Sequence, residues 1–162
     1  MELGTTENFM MKNNRIELVS DSATSTSIIF TSNKNFDGST NKIHDNDIIV
    51  SAIGAVGRFY SSKADFYNND VTINLNGSIS RIISQIDNIF RNNEVSINGN
   101  VDSIGYVANN LNSNTFNISG TLRKGFEFYN ANLTTPVSIM NNTVNIGTAF
   151  DNGCTKFYII NG

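Results

Sequence analysis

A chain of 162 residues is long enough for one domain with a core of its own. Charged residues make up only 15% and the formal net charge is −3, which argues against a nucleic-acid binder built on a basic surface. A single cysteine excludes an intramolecular disulfide, a single histidine excludes a His-based triad or multi-histidine zinc site within the chain, and no apolar run reaches the ~18 residues of a membrane-spanning helix.

The first fourteen residues are polar and irregular and read as an arm. They contain acidic residues and no apolar h-region, so they are not a signal peptide, and the expectation is a protein made in the cytoplasm. Residues 15–19 (RIELV) alternate and read as a strand, as do residues 28–31 (IIFT). Residues 32–46 are turn-rich, with Asp37-Gly38 as a tight turn. A boundary is placed near residue 46, dividing an N-terminal arm with irregular strands (1–46) from a repeat solenoid (47–162).

From there a short alternating run recurs. It opens at Val71, Val95, Phe116, Val137 and Phe157, with weaker openings at Ile48 and Ile28, and the spacing is about 20 to 24 residues. A fixed period in that range is the signature of a solenoid, in which units that fail alone share a core when stacked. Ile79, Ile82, Ile83, Ile86 and Phe90 fall at helical spacing, so 79–91 is predicted to be an amphipathic helix. The predicted fold is a mainly β solenoid of leucine-rich-repeat-like units with parallel strands and short helices or turns. The alternative is a β-helix of a viral fibre.

The run VNIGTAFDNGCTKFYII resembles the treponemal, or BspA-type, leucine-rich repeats. Val144, Ile146, Gly147, Ala149, Phe150, Cys154 and Phe157 match that pattern with small spacing shifts, and Ile104-Gly105 with Val107-Ala108 echo it. Leucine is scarce, with Ile, Val and Phe in its place, and the sole proline, Pro136, precedes a strand. The resemblance implies protein or surface recognition rather than catalysis, and transfers no functional residue.

The residues offer little chemistry. His44-Asp45-Asn46-Asp47 presents carboxylates but lacks the glycine and distal glutamate of a calcium loop, so it reads as an exposed polar turn. Asp65 with Asp70, or Asp102 with Glu127, are the conceivable acid–base pairs; acidic residues do not recur at one repeat position, which disfavours an enzyme. Phe59-Tyr60, Phe66-Tyr67, Phe128-Tyr129 and Phe157-Tyr158 invite a carbohydrate reading, but one ring of each pair is expected in the core and the other over a turn. Cys154 is expected to be a small core hydrophobe.

The outward strand positions form the candidate interaction face. Thr72, Ser96, Asn117, Ser138 and Tyr158 are expected in one ladder, and Asn74, Asn98, Ser119 and Met140 in the next. The expected partners are proteins, or a second copy through the open C-terminal end, with no nucleic acid, membrane span or cofactor. About one residue in six is Asn, and a low-charge Asn/Ser/Gly composition of this kind occurs both in viral fibre and tail proteins and in proteins from AT-rich genomes. The functional expectation is a non-enzymatic structural or attachment protein of a virus particle, such as a phage head or tail accessory component. The alternative is a BspA-like binding module of a bacterial surface or adhesion protein.

Overall fold

A computed structural model gives the fold, and residues 9–21, 41–62, 64–86, 89–107, 110–130, 138–147 and 156–161 are described. All regular structure among them is strand: β1 (Met10–Lys12), β2 (Arg15–Ser20), β3 (Lys42–His44), β4 (Asp47–Ala52), β5 (Val56–Ser62), β6 (Asp65–Tyr67), β7 (Asp70–Ile86), β8 (Ile89–Arg91), β9 (Glu94–Val107), β10 (Asn110–Asn112), β11 (Thr115–Ile118), β12 (Leu122–Asn130), β13 (Ile139–Met140), β14 (Thr143–Ile146) and β15 (Lys156–Asn161). The sequence runs predicted at 28–31, and the openings at Ile28 and Val137, lie outside the described residues, as do Pro136 and Cys154.

Every strand pairing is parallel, and each strand pairs with its counterpart one turn of the chain away. The architecture is therefore a stack of coils with three strand segments per coil, a β-rich, solenoid-like arrangement. The short strands form one row, β1-β3-β6-β8-β10-β13. A middle row holds β2, β4, the first halves of β7 and β9, β11 and β14. The second halves of β7 and β9 bend away and pair with β5 and β12, and β12 with β15, as a third row.

Like residues stack inside, because parallel in-register coils place equivalent side chains one above another. Ile48, Val71, Val95 and Phe116 form one buried column, and Val50, Ile73, Ile97 and Ile118 a second. The third row adds Val56, Ile79, Val101 and Leu122. Phe66, Phe90 and Phe116 stack with ring centroids 5.0 and 6.4 Å apart and planes within 10°. The neighbour of Phe116 is Val144, 28 residues on, so Val144 takes the place expected for Val137.

The predicted helix over 79–91 is not formed; residues 79–86 belong to β7 and 89–91 to β8. Ile79, Ile82 and Ile83 are all buried, and two adjacent buried residues break the strand alternation in a way that copies helical spacing. Their β-branching favours the strand. Phe59 and Tyr60 likewise are both buried, not one in and one out, and the Tyr60 hydroxyl donates to the Ala64 carbonyl at 2.7 Å.

Where each short strand turns into the middle row, one residue adopts a left-handed conformation: Asn13, Asp45, Asn68, Asn92, Ser113 and Asn141, with φ of 53 to 57°. Asn and Asp tolerate that region best among non-glycine residues. The next residue is always asparagine, and these six form an internal ladder. The N–H and Nδ2 of Asn46 both donate to Oδ1 of Asn69, at 3.1 and 3.0 Å. Asn69 does the same to Asn93, Asn93 to Asn114 and Asn114 to Asn142. From Asn46 to Asn142 each Nδ2 also donates to a carbonyl of the preceding coil, as Asn93 does to Phe66 at 3.1 Å, so no amide in the buried rungs is wasted.

Candidate functional site

The outward positions of the middle row carry the candidate surface. Ile49, Thr72, Ser96, Asn117 and Asn145 stand in register on five successive strands. Asn117 Nδ2 donates to Glu94 at 3.1 Å and to the Ser96 hydroxyl at 3.4 Å, and Asn145 Nδ2 donates to Asn117 Oδ1 at 2.8 Å. Two residues further on, Ser51, Asn74 and Asn98 form a second register, with Asn98 Nδ2 donating to Asn74 Oδ1 at 2.7 Å. Amides and hydroxyls thus hydrogen-bond one another laterally across the face.

Two shallow recesses lie along this face where the chain bends toward the third row. One, of about 340 Å³, is lined by Ser96, Asn98, Asn117, Ser119 and Asn145 over an Ile97, Ile118 and Ile146 floor. The other, of about 370 Å³, is lined by Val19, Ile53, Asn74, Leu75 and Asn98. Asn98 borders both recesses, and Asp21 borders the second. Val19 and Ile53 are more than half exposed there.

Of the predicted face, Thr72, Asn74, Ser96, Asn98, Asn117 and Ser119 come together. Three residues do not. Asn145, not Ser138, continues the first ladder. Ser138 lies beside the short-strand row, its hydroxyl donating to Asn112 at 3.2 Å, and Met140 pairs with Asn112 in that row. Tyr158 pairs with Glu127 in the third row. The cause is the longer stretch between Phe116 and Val144, which puts a fixed-period count out of step.

The His44 turn is not an exposed polar loop. His44 and Asn46 are buried, Nδ1 of His44 lies 2.7 Å from Asp45 Oδ2, and the imidazole stacks on Tyr67 at 4.6 Å with planes 6° apart. The His44 hydrogen bond, followed by one from Asn68, holds the Asp45 carboxyl below its ordinary value. Arg91 covers Tyr67, with the guanidinium carbon 5.2 Å from the ring centre. This column packs the outside of the short row.

The carboxylate pairs separate as well. Asp65 lies in the short row and burial raises its pKa. Asp70 stands in the middle row between Asp47 and Glu94, and burial first, then Glu94 and Asp47, raise its pKa. Asp102 pairs with Arg123, whose hydrogen bond lowers its pKa, whereas Glu127 stands at a separate position of the third row, in backbone register with residues 106 and 158. No group of three or more His, Cys, Asp or Glu gathers among the described residues, and no helix among them is long and apolar enough to cross a membrane. Folding also builds a basic column that the sequence does not display: Arg58, Arg81, Lys124 and Lys156 occupy equivalent positions of the third row, interrupted by Ser103.

No protein-family model, curated protein or solved structure significantly matches the chain.

Proposed function

We propose that this chain is a non-enzymatic structural or attachment component of a virus particle, acting through protein–protein contacts along the amide and hydroxyl columns of its middle-row face. The observation that carries this reading is the division of labour among its asparagines. The inner ladder, Asn46 to Asn114, is buried and rigidifies the stack. The outer set, Asn74 with Asn98 and Asn117 with Asn145, is paired in register on the outward face, beside an acidic column of Asp47, Asp70 and Glu94. A laterally hydrogen-bonded face loses less side-chain entropy on docking, because its amides and hydroxyls already hold one another. Three strand segments per coil favour a β-helix of the viral-fibre kind over leucine-rich-repeat units, which alternate a strand with a helix or tight turn.

The test is incorporation. Particles purified from the source cells are analysed by mass spectrometry and by immunogold labelling against this chain. The expected result is co-purification at fixed stoichiometry, with incorporation lost when Ser96→Arg and Asn117→Arg place two cations on the face of a still-folded chain. Recovery of the chain only outside particles overturns the reading.

A further inference from the structure

The internal ladder has a direction, and its two ends are complementary. At every inner rung an asparagine Oδ1 accepts two hydrogens from the preceding coil and its own N–H and Nδ2 donate to the next. At the first rung, Asn14 donates through N and Nδ2 to Asn46 Oδ1 at 3.0 and 3.1 Å, and its Nδ2 turns back to Lys12 of its own coil. The Asn14 Oδ1 accepts nothing from the described residues. At the last rung, Asn142 Oδ1 accepts from Asn114 N and Nδ2 at 3.0 and 2.9 Å, and its Nδ2 donates to the Leu111 carbonyl at 2.7 Å. Its own N–H and second amide hydrogen meet no acceptor among the described residues. Among the described residues, one end of the stack therefore offers an acceptor and the other offers its two donors.

The apolar columns end in the same way. Ile48 and Val50 are buried to 0% exposure, while Ile16 and Leu18, one coil outward, are only half-buried. Phe116 and Ile118 are buried, while Val144 and Ile146 beyond them are half-buried. An open sheet edge with half-covered apolar residues is a template for another strand.

We propose that a second copy of this chain stacks on the first head to tail, the Asn142 coil of one on the Asn14 coil of the next. The pairing repeats the rule of the interior. The Asn142 N–H and Nδ2 donate to Oδ1 of Asn14 in the next copy, Val144 covers its Ile16, Ile146 its Leu18, and Ile139 its Met11. An unrelated partner would have to present a parallel strand preceded by an asparagine two residues before its first inward residue. This chain presents that pattern itself. Because unlike ends meet, the contact is heterologous and propagates rather than closing into a dimer. The inference is independent of what the outward face binds, and the end variants below leave that face intact, so either reading can fail alone.

Two single-end variants test it. Leu18→Lys blocks the acceptor end and Ile146→Lys blocks the donor end, and circular dichroism confirms that each folds. In sedimentation velocity the wild-type mass is expected to rise with concentration. Each variant alone should remain a single chain, and an equal mixture should give a two-chain complex and nothing larger, since each supplies the end the other lacks. A wild-type chain that stays single at every concentration overturns the proposal. So does a variant that associates with itself, which would mean like ends meet. Should a variant unfold, hydrogen exchange on the wild type decides: slower exchange at Asn142, Val144 and Ile146 with rising concentration is expected, and unchanged exchange overturns the proposal.

Discussion

Oδ1 of Asn93 holds two hydrogens from Asn69, the backbone N–H at 2.9 Å and the side-chain Nδ2 at 3.2 Å. The same oxygen thereby satisfies the turn of one coil and the side chain that braces it. A chain of such rungs polarises along its length, and in a buried site each bond is stronger than it would be in water. The ladder converts an expensive feature, a column of buried amides, into the element that fixes the spacing of the coils.

Replacing Asn93 with alanine removes the acceptor for Asn69 and the donors to Asn114 Oδ1 and the Phe66 carbonyl. Asn93 is only 2% exposed, so water does not compensate these groups. At roughly 1–3 kcal/mol for each buried group left unpaired, Asn93→Ala should cost about 3 kcal/mol or more. Asn14→Ala, at the exposed end of the ladder, should cost about 1 kcal/mol or less. Urea denaturation of the whole chain, followed by circular dichroism, measures the difference. Equal losses at the two positions would show that the ladder is not the brace described.

Glycine is required at one point of the third row. Gly105 has φ of +133°, and a Cβ built there overlaps the Ile83 carbonyl oxygen and lies 2.7 Å from its carbon. Both backbone strain and a backbone clash follow, so Gly105→Ala should cost about 3 kcal/mol or more. Gly77 is the control: its Cβ would meet only Gly54 and Ala55 backbone at 3.4 to 3.6 Å, which is ordinary contact. Gly77→Ala should be neutral or stabilise by up to about 0.5 kcal/mol through the unfolded state. Melting temperatures of the two variants are expected to move in opposite directions or, at the least, by very different amounts.

The columns of the middle row were legible because they rest on period alone. Ile48, Val71, Val95 and Phe116 open alternating runs at nearly constant spacing, and the structure pairs them in register. Thr72, Ser96 and Asn117 follow automatically, one residue on. Val144 was displaced by Val137 because both open plausible strands and counting a fixed period chooses the nearer. The helix over 79–91 was misread because paired buried isoleucines copy a helical stripe. The inner ladder left a sharper signal than the apolar pattern: an asparagine stands two residues before each inward opening, at Asn14, Asn46, Asn69, Asn93, Asn114 and Asn142. In a chain so rich in asparagine that fixed offset is visible only once the openings are known. His44 gave no signal at all, since its burial depends on Tyr67, a coil away.

Acidic residues in register set a pH dependence. Burial, then Glu94 and Asp47, raise the Asp70 pKa above its ordinary 3.8. A raised carboxyl pKa means the folded state holds the proton more tightly, so stability falls as pH rises through the interval from the ordinary value to the raised one. Asp70→Asn should therefore stabilise the chain at neutral pH. The gain should be only about 0.3 kcal/mol, since solvent screens these carboxylates. It should vanish below the carboxylate range, where the wild-type residue is already neutral. Asp102, lowered chiefly by its hydrogen bond with Arg123, has the opposite sign: its contribution is present above the ordinary carboxyl value and is lost as pH falls through the lowered one. Denaturation midpoints of Asp70→Asn and wild type at neutral and acid pH check the sign, and a gain that persists in acid would refute this origin.

Ser113 interrupts a second, outer column. The left-handed residue is Asp45, Asn68 and Asn92 in three successive coils, and their side chains are linked: Asn92 Nδ2 donates to Asn68 Oδ1 at 3.3 Å and Asn68 Nδ2 to Asp45 Oδ1 at 3.1 Å. The next coil places Ser113 there with φ of 57°, and Asn141 follows with the same angle. Serine is less suited to that conformation than asparagine, and its short hydroxyl side chain supplies no amide donor. Ser113→Asn should relieve part of the backbone cost and place an Nδ2 beside the Asn92 Oδ1. For an exposed position the sum should be a gain of about 0.5–1 kcal/mol. The double variant Ser113→Asn with Asn92→Ala separates the two contributions. If the gain survives intact without the Asn92 side chain, it comes from the backbone alone. If about half is lost, the outer column acts as a ladder in its own right.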